Sequence, residues 1–237
     1  MGKRILALAL LLLLPLACGS FDAFGAIAAS GSAHLTQETH YIALTFDDGP
    51  RRDTTQRLLD GLRERGASAT FFLIGRQIPG NEDLVLRMKA EGHQVGNHTW
   101  NHVTLSGSLT ADLEELRRTD ALLQELLGSG TYWVRPPYGL ISEAERAALE
   151  VPLVHWTVDP EDWAKLSPEA VVQAVLKEAG PNDIVLLHDF FSDSVDAALE
   201  IVDTLQAEGY YFVTVEELLA LNGITPQPGV MYREIAG

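Results

Sequence analysis

The stretch Tyr41-Ile42-Ala43-Leu44-Thr45-Phe46-Asp47-Asp48-Gly49-Pro50 runs from an apolar, strand-like segment straight into an acidic turn. Residues 54–65 follow with helical spacing, and Leu58, Leu59 and Leu62 fall on one face. Gly66 comes next, where a left-handed helix cap is expected. The same alternation continues along the chain. Strand-like runs occur at 41–45, 68–74, 94–96, 131–134, 153–158, 183–187 and 211–215. Residues 109–127 form a second clear helical stretch, with Leu113, Leu116, Leu123 and Leu127 on its apolar side. Gly92, Gly128, Gly180 and Gly209 also follow helical runs. Strand–helix alternation implies a parallel sheet covered by helices. Seven such units suggest an α/β barrel, closed or nearly so, rather than an open sheet. Composition does not separate the two, but the polar motifs do. Each lies at the carboxyl end of a strand-like run, the rim where barrels gather catalytic groups.

The motifs supply different chemical parts. His98 and His102 are four residues apart, a spacing that on one helical turn points both rings at a single ion. Such a pair alone is often a surface accident; a carboxylate from Asp47-Asp48 makes it a ligand set. Two imidazoles and one carboxylate leave open positions on the ion, which a catalytic metal needs. The same set suits a non-haem iron oxygenase, but the other motifs point to hydrolysis. Adjacent carboxylates on extended backbone diverge, so one can ligate while the other takes a proton from water. An Asp-Asp-Gly-Pro turn by itself is common after a strand.

His188 ends the apolar run 184–187 and offers a second proton-transfer group, which an amine leaving group requires. Asp162 is its candidate partner, holding it charged. Arg135, stiffened by the two prolines after it, is a candidate partner for Asp47. The Tyr138 N–H, in a rigid Pro-Tyr-Gly turn, can face a developing oxyanion. Trp163 and Leu186 are candidate walls for a methyl group, with core packing the competing role for Leu186. His93 is expected at a helix end as a cation facing the dipole. His155, Leu84 and Met88 are expected to pack, and His34 and His40 to lie in or near a tether.

The chain has 237 residues, enough for one good-sized core. Its net charge of −16 argues against a nucleic-acid backbone or an anionic membrane surface as partner. Lys3 and Arg4 precede an apolar run over 5–16, too short to span a bilayer, and Ala26-Ile27-Ala28 offers a cleavage site. The expectation is an export signal over 1–28. The alternative is a lipoprotein signal over 1–17 with a lipid anchor at Cys18, the only cysteine. Either route places the domain outside the cytoplasm, in the periplasm or cell envelope or secreted. With no second cysteine, the mature domain is held by its core. Residues 29–40 read as a tether, 41–221 as one domain and 222–237 as a C-terminal tail. No transmembrane helix is expected, and a monomer is.

Five segments in this order resemble the polysaccharide deacetylase family, also called the NodB homology domain or carbohydrate esterase family four. They are Thr45 to Pro50, Asn97-His98-Thr99-Trp100-Asn101-His102, Arg135-Pro136-Pro137-Tyr138-Gly139, Asp162-Trp163 and Leu186-Leu187-His188. The resemblance covers about residues 41–221. It implies a distorted (β/α)7 barrel with a shallow groove. It implies a divalent metal on Asp48, His98 and His102, zinc first, with cobalt or nickel as alternatives. Asp47 would be general base and His188 general acid, tuned by Arg135 and Asp162 respectively. Tyr138 would supply the backbone oxyanion donor, and Trp163 and Leu186 would hold the acetyl methyl. Phe190 stands where a smaller residue is frequent, which would narrow the groove. The implied reaction is N-deacetylation of N-acetylhexosamine units in peptidoglycan, chitin oligomers or an exopolysaccharide. The rivals are an O-acetyl esterase of the xylan type, a non-catalytic glycan-binding module and an amidase acting on a small cyclic amide.

Overall fold

The computed structural model describes residues 39–164 and 166–235. The expected signal segment, Cys18, His34 and most of the tether lie outside these residues. The chain alternates as the sequence implies: β1 (His40–Asp47), α1 (Arg52–Arg65), β2 (Thr70–Leu73), α2 (Glu82–Ala90), β3 (Gln94–Asn97) and α3 (Leu109–Leu127). Then follow α4 (Glu143–Ala148), β4 (Leu153–Val154), α5 (Pro168–Glu178), β5 (Ile184–His188), α6 (Ser192–Ala207), β6 (Tyr210–Phe212), α7 (Val215–Leu221) and β7 (Met231–Tyr232).

All the pairing is parallel. The main sheet runs β3-β2-β1-β5, with β6 against the first residues of β1. A second, two-stranded piece joins β4 and β7. Regular ladders stop between β3 and β5. Isolated bridges Asn97–Val134, Val134–Leu153 and Val158–Val185 span that gap. The expected barrel is therefore a distorted one. Of the strand expected over 131–134 only Val134 pairs, by single bridges, because Pro136 and Pro137 stop the ladder just beyond it. Of the segment expected as a C-terminal tail, the described residues 222–235 include β7, which pairs with β4, and a buried Ile235.

Strand alternation sorts the side chains of β1. Ile42, Leu44 and Phe46 face the helices and pack with Leu58, Leu59 and Leu62 of α1 and Val195 and Ile201 of α6. Ala43 faces the other way, into a cluster with Phe72, Trp133, Val154 and Ile184. Thr45 and Asp47 continue that inner face, so the same period that builds the core sends a carboxylate inward at the rim. Asp47 is in register with Phe72 on one side and His188 on the other. Each fully buried leucine or phenylalanine of the helix-facing layer contributes roughly 1.5–3 kcal/mol. That layer is what fixes the rim geometry. Gly66, Gly92 and Gly209 follow their helices with positive φ as expected; Gly128 has φ 87° with ψ 175°, outside the left-handed helical region, and at Gly180 it is Asn182, with φ 69°, that takes the positive φ.

Candidate active site and metal centre

The rim assembles every sequence-predicted site residue around one cavity of about 520 Å³. Its walls include Asp47, Asp48, His98, His102, Tyr138, Trp163, Leu186 and His188. Arg135 and Asp162 lie behind them, both buried.

Asp47 closes β1 pointing inward; Asp48 then turns with φ 72°, sending the two carboxylates different ways. His98 and His102 meet Asp48, but not by the expected helical turn. Residues 98–102 form a loop in which Thr99 and His102 have φ near 65° and 62°. Asn97 stabilises this loop: its side-chain oxygen accepts the Thr99 N–H at 2.9 Å and its amide donates to the Leu116 carbonyl at 2.8 Å. The Gly75 N–H donates to the Thr99 carbonyl at 2.9 Å. The loop, rather than helical spacing, brings the ring centroids to 4.9 Å.

The ligand atoms of Asp48, His98 and His102 lie within 4.8 Å of one another. Nε2 of His102 is 3.3 Å, and Nε2 of His98 3.6 Å, from Asp48 Oδ1. That oxygen is buried with no hydrogen-bond partner. Nδ1 of His98 is 2.6 Å from the Arg135 carbonyl, an acceptor, so Nδ1 carries the proton and the Nε2 lone pair faces Asp48. Burial, with His98 adding to it, lowers the pKa of His102 and favours neutral imidazole. One orphaned carboxylate oxygen and two imidazole lone pairs converging on a point are a donor set that fits a divalent cation with open positions.

Arg135 is fully buried and holds Asp47 in place. Its Nη1 donates to Asp47 Oδ1 at 2.9 Å and to Thr45 Oγ1 at 2.6 Å, and its Nη2 to the His155 carbonyl at 2.9 Å. The guanidinium also lies over the Phe72 ring at 4.3 Å. Burial lowers its pKa and Asp47 opposes the shift; a guanidinium stays charged regardless.

Both Asp162 oxygens serve His188: one is 2.7 Å from Nδ1, the other accepts its backbone N–H at 2.8 Å. Burial alone would lower the His188 pKa, but Asp162, with Asp47 and Asp48 behind it, raises it to about 9. A cation on Asp48 would offset the last of those contributions. Tyr138 has φ 60°, and its exposed ring packs edge-on against His102 at 4.8 Å. Gly139 beside it tolerates no side chain: a Cβ would come within 2.5 Å of His155 Nε2. Trp163 is 52 % exposed, open to a ligand, whereas Leu186 is nearly buried and still lines the cavity, so it is both core and wall.

Several residues had no role in the sequence reading. Trp156 and Asp159 also line the cavity; the first sits in an apolar run that reads as packing. Asp189, the residue after His188, is fully buried, and burial raises its pKa to about 7 against a hydrogen bond from Thr55. His93 is corrected. It is a buried neutral ring beyond the end of α2, its Nδ1 accepting the Ala69 N–H at 3.1 Å, with burial holding its pKa near 4. Leu84 and Met88 pack in the core as expected.

The chain belongs to the polysaccharide deacetylase family, whose description matches residues 34–151. The peptidoglycan-N-acetylglucosamine deacetylase of Bacillus cereus is 41 % identical over 186 residues, covering 75 % of this chain and 87 % of that one. The peptidoglycan-N-acetylmuramic acid deacetylase PdaC of Bacillus subtilis is 39 % identical over 178 residues, 75 % of this chain. Its solved structure superimposes with a TM-score of 0.77, covering 79 % of this chain and 93 % of that chain, at 37 % identity. A family 4 acetyl xylan esterase from Clostridium thermocellum, solved with a cobalt ion, gives a TM-score of 0.78 at 30 % identity over 83 % of this chain and all of that one. The alignment with PdaC spans only 38 % of that curated relative's full length. No helix among the described residues is long and apolar enough to cross a membrane.

Proposed function

We propose that this chain is a metal-dependent hydrolase that removes N-acetyl groups from N-acetylhexosamine units of a polysaccharide and releases acetate. The observation that carries the reading is the meeting, in one cavity, of the Asp48–His98–His102 donor set with two opposed proton-transfer pairs, Arg135–Asp47 and Asp162–His188. A divalent cation held by the three donors, zinc first with cobalt or nickel as alternatives, would polarise the acetamide carbonyl and lower the pKa of water.

The chain's own groups do the rest. Asp47 Oδ1 is engaged by Arg135, which leaves Oδ2, 3.7 Å from His98, to take the proton of the attacking water. The Tyr138 N–H faces the oxygen on which charge develops. Asp162 fixes the proton on His188 Nδ1 and keeps the ring cationic, so Nε2 delivers its proton to the departing sugar nitrogen. Trp163 and Leu186 bound the acetyl methyl, a small apolar group. Water adds across the C–N bond: the acyl carbon leaves as acetate and the nitrogen as the amine of a glucosamine unit.

Peptidoglycan is the first glycan to test, because both Bacillus relatives named above are peptidoglycan deacetylases by name. Export fits that target, and Lys3, Arg4 and the apolar run 5–16 support a leader over 1–28 ahead of a catalytic domain over 41–221. The deciding experiment is acetate release from peptidoglycan fragments, chitin oligomers and acetylxylan, with and without a chelator. Chelator-sensitive release from the first two is expected. Release from acetylxylan alone would favour the O-acetyl esterase reading, which the likeness to the Clostridium enzyme supports. No release from any would leave a binding module.

A further inference from the structure

The catalytic pairs leave one buried carboxylate at the rim without a role. Asp189, directly after His188, is fully buried. Its Oδ2 accepts a hydrogen bond from the Thr55 hydroxyl, and its Oδ1 has no partner. The Thr55 oxygen in turn accepts the Arg51 N–H at 2.7 Å. Through one hydroxyl, the carboxylate therefore grips the backbone three residues beyond Asp48. Gly49 lies against it: a Cβ there would sit 2.5 Å from both carboxylate oxygens. Phe190 holds Arg51 from outside, its ring 4.2 Å from the guanidinium carbon. On the opposite side, the exit of β2 secures the same turn. The Ile74 N–H donates to the Gly49 carbonyl at 3.0 Å and the Gln77 amide to the Asp48 carbonyl at 2.8 Å.

Asp48 sits at φ 72°, a conformation that side chains rarely adopt, so the turn that carries it needs outside support. Asp189 is itself expensive: a buried carboxylate with a single donor loses more hydration than that bond returns. An apolar side chain would pack the same space at lower cost, which points to a positional duty.

We propose that Asp189 is a positioning residue. Acting through the Thr55 hydroxyl, it holds residues 48–51 so that Asp48 Oδ1 meets His98 and His102 at one point. Because it follows His188, the brace also ties the proton donor's strand end to the metal ligand's turn. The inference rests on the reading of Asp48, His98 and His102 as metal ligands.

Zinc titration of the chelator-stripped full chain tests it. Thr55→Val removes the bridging hydroxyl at nearly constant volume, and Thr55→Ser restores it. The expectation is zinc binding about 10- to 100-fold weaker in Thr55→Val, the range for groups that orient metal ligands. On a released-acetate assay kcat should fall with KM unchanged, and Thr55→Ser should recover to within a few-fold. Asp189→Ala removes the acceptor at the other end of the brace and decides the matter if Thr55→Val does not fold. Hydrogen exchange at the Arg51 amide of the zinc-free protein should speed up in either variant, a readout free of metal and substrate. Parental zinc affinity in the folded variants overturns the proposal. If the parent chain itself binds no zinc, the metal reading fails instead, and unchanged Arg51 exchange then overturns the brace on its own.

Discussion

Two histidines, one buried and one partly buried, stand at opposite ends of the strands and have opposite fates. His93 precedes β3 at the base of the sheet, and His188 ends β5 at the rim. Burial penalises the charged form of both rings. At the base no carboxylate bonds to the ring: burial outweighs the pull of Glu91, and His93 accepts a backbone N–H and is held neutral, with a pKa near 4. At the rim Asp162 does answer, at 2.7 Å, and the His188 pKa rises to about 9. The difference teaches that burial does not decide a histidine's state here; a single placed carboxylate does. The base spends its polar groups on neutral hydrogen bonds that hold elements together. The rim keeps its charges in pairs, Arg135 with Asp47 and Asp162 with His188.

The rim should break most readily where it is chemically committed. Asp47→Asn keeps the hydrogen bond to Arg135 but removes the base, so kcat should drop by about 10² to 10⁴. Zinc affinity by calorimetry should stay near the parent value. Parental turnover would remove Asp47 from the proton-accepting role. Asp162→Asn tests the second pair. His188 must be protonated to act, so activity holds below its pKa and is lost above it. Without Asp162 that limb should move to lower pH, with a loss of about 10- to 100-fold at alkaline pH and much less at pH 6. An alkaline limb that stays in place would mean that some other group reports there.

The base answers to stability rather than rate. His93 has a folded pKa depressed from 6.5 to about 4, so the unfolded chain binds more protons between those values. Its neutral burial therefore carries no penalty above about pH 6.5. Stability is lost as pH falls towards 4, by about 3 kcal/mol in all. His188 in the metal-free chain runs the other way: its raised pKa contributes stability below 6.5 that disappears as pH climbs through about 9. Urea unfolding from pH 7 to pH 4 should give a shallower acid loss for His93→Asn, whose side-chain oxygen can replace Nδ1 as acceptor. An equally steep loss in that variant would place the acid sensitivity elsewhere.

How the sequence could be read follows the same division. The strand β1 and the helices α1 and α3 were legible because apolar spacing is local, and the rim motifs because each pairs unusual residue types. The loop over 98–102 was not legible. Its shape depends on Asn97 reaching the Leu116 carbonyl and on two left-handed residues that are not glycine. His93 was misread because position after a helix suggests a cation, whereas its burial depends on packing against Phe71, 5.3 Å away between ring centroids. Asp189 was passed over because an acidic residue after a strand normally points to water. Each missed feature depends on a partner distant in sequence, which no local pattern encodes.

The smallest effect belongs to a device that serves only the base. Thr214 caps α7: its hydroxyl accepts the Glu217 N–H at 3.1 Å, while the Glu217 carboxylate accepts the Thr214 N–H at 2.9 Å. The first turn of α7 also lies over the starts of β2 and β3, where the Val215 N–H meets Thr70 and the Glu216 N–H meets Gln94. Those two bonds remain when the Thr214 hydroxyl is removed, so the helix should keep its place and lose only a cap. Thr214→Ala should cost about 1 kcal/mol in urea unfolding and leave kcat and the alkaline limb unchanged. A change in either kinetic quantity would mean that the base and rim are mechanically coupled, and the contrast between the two histidines would then describe one connected network rather than two independent ends.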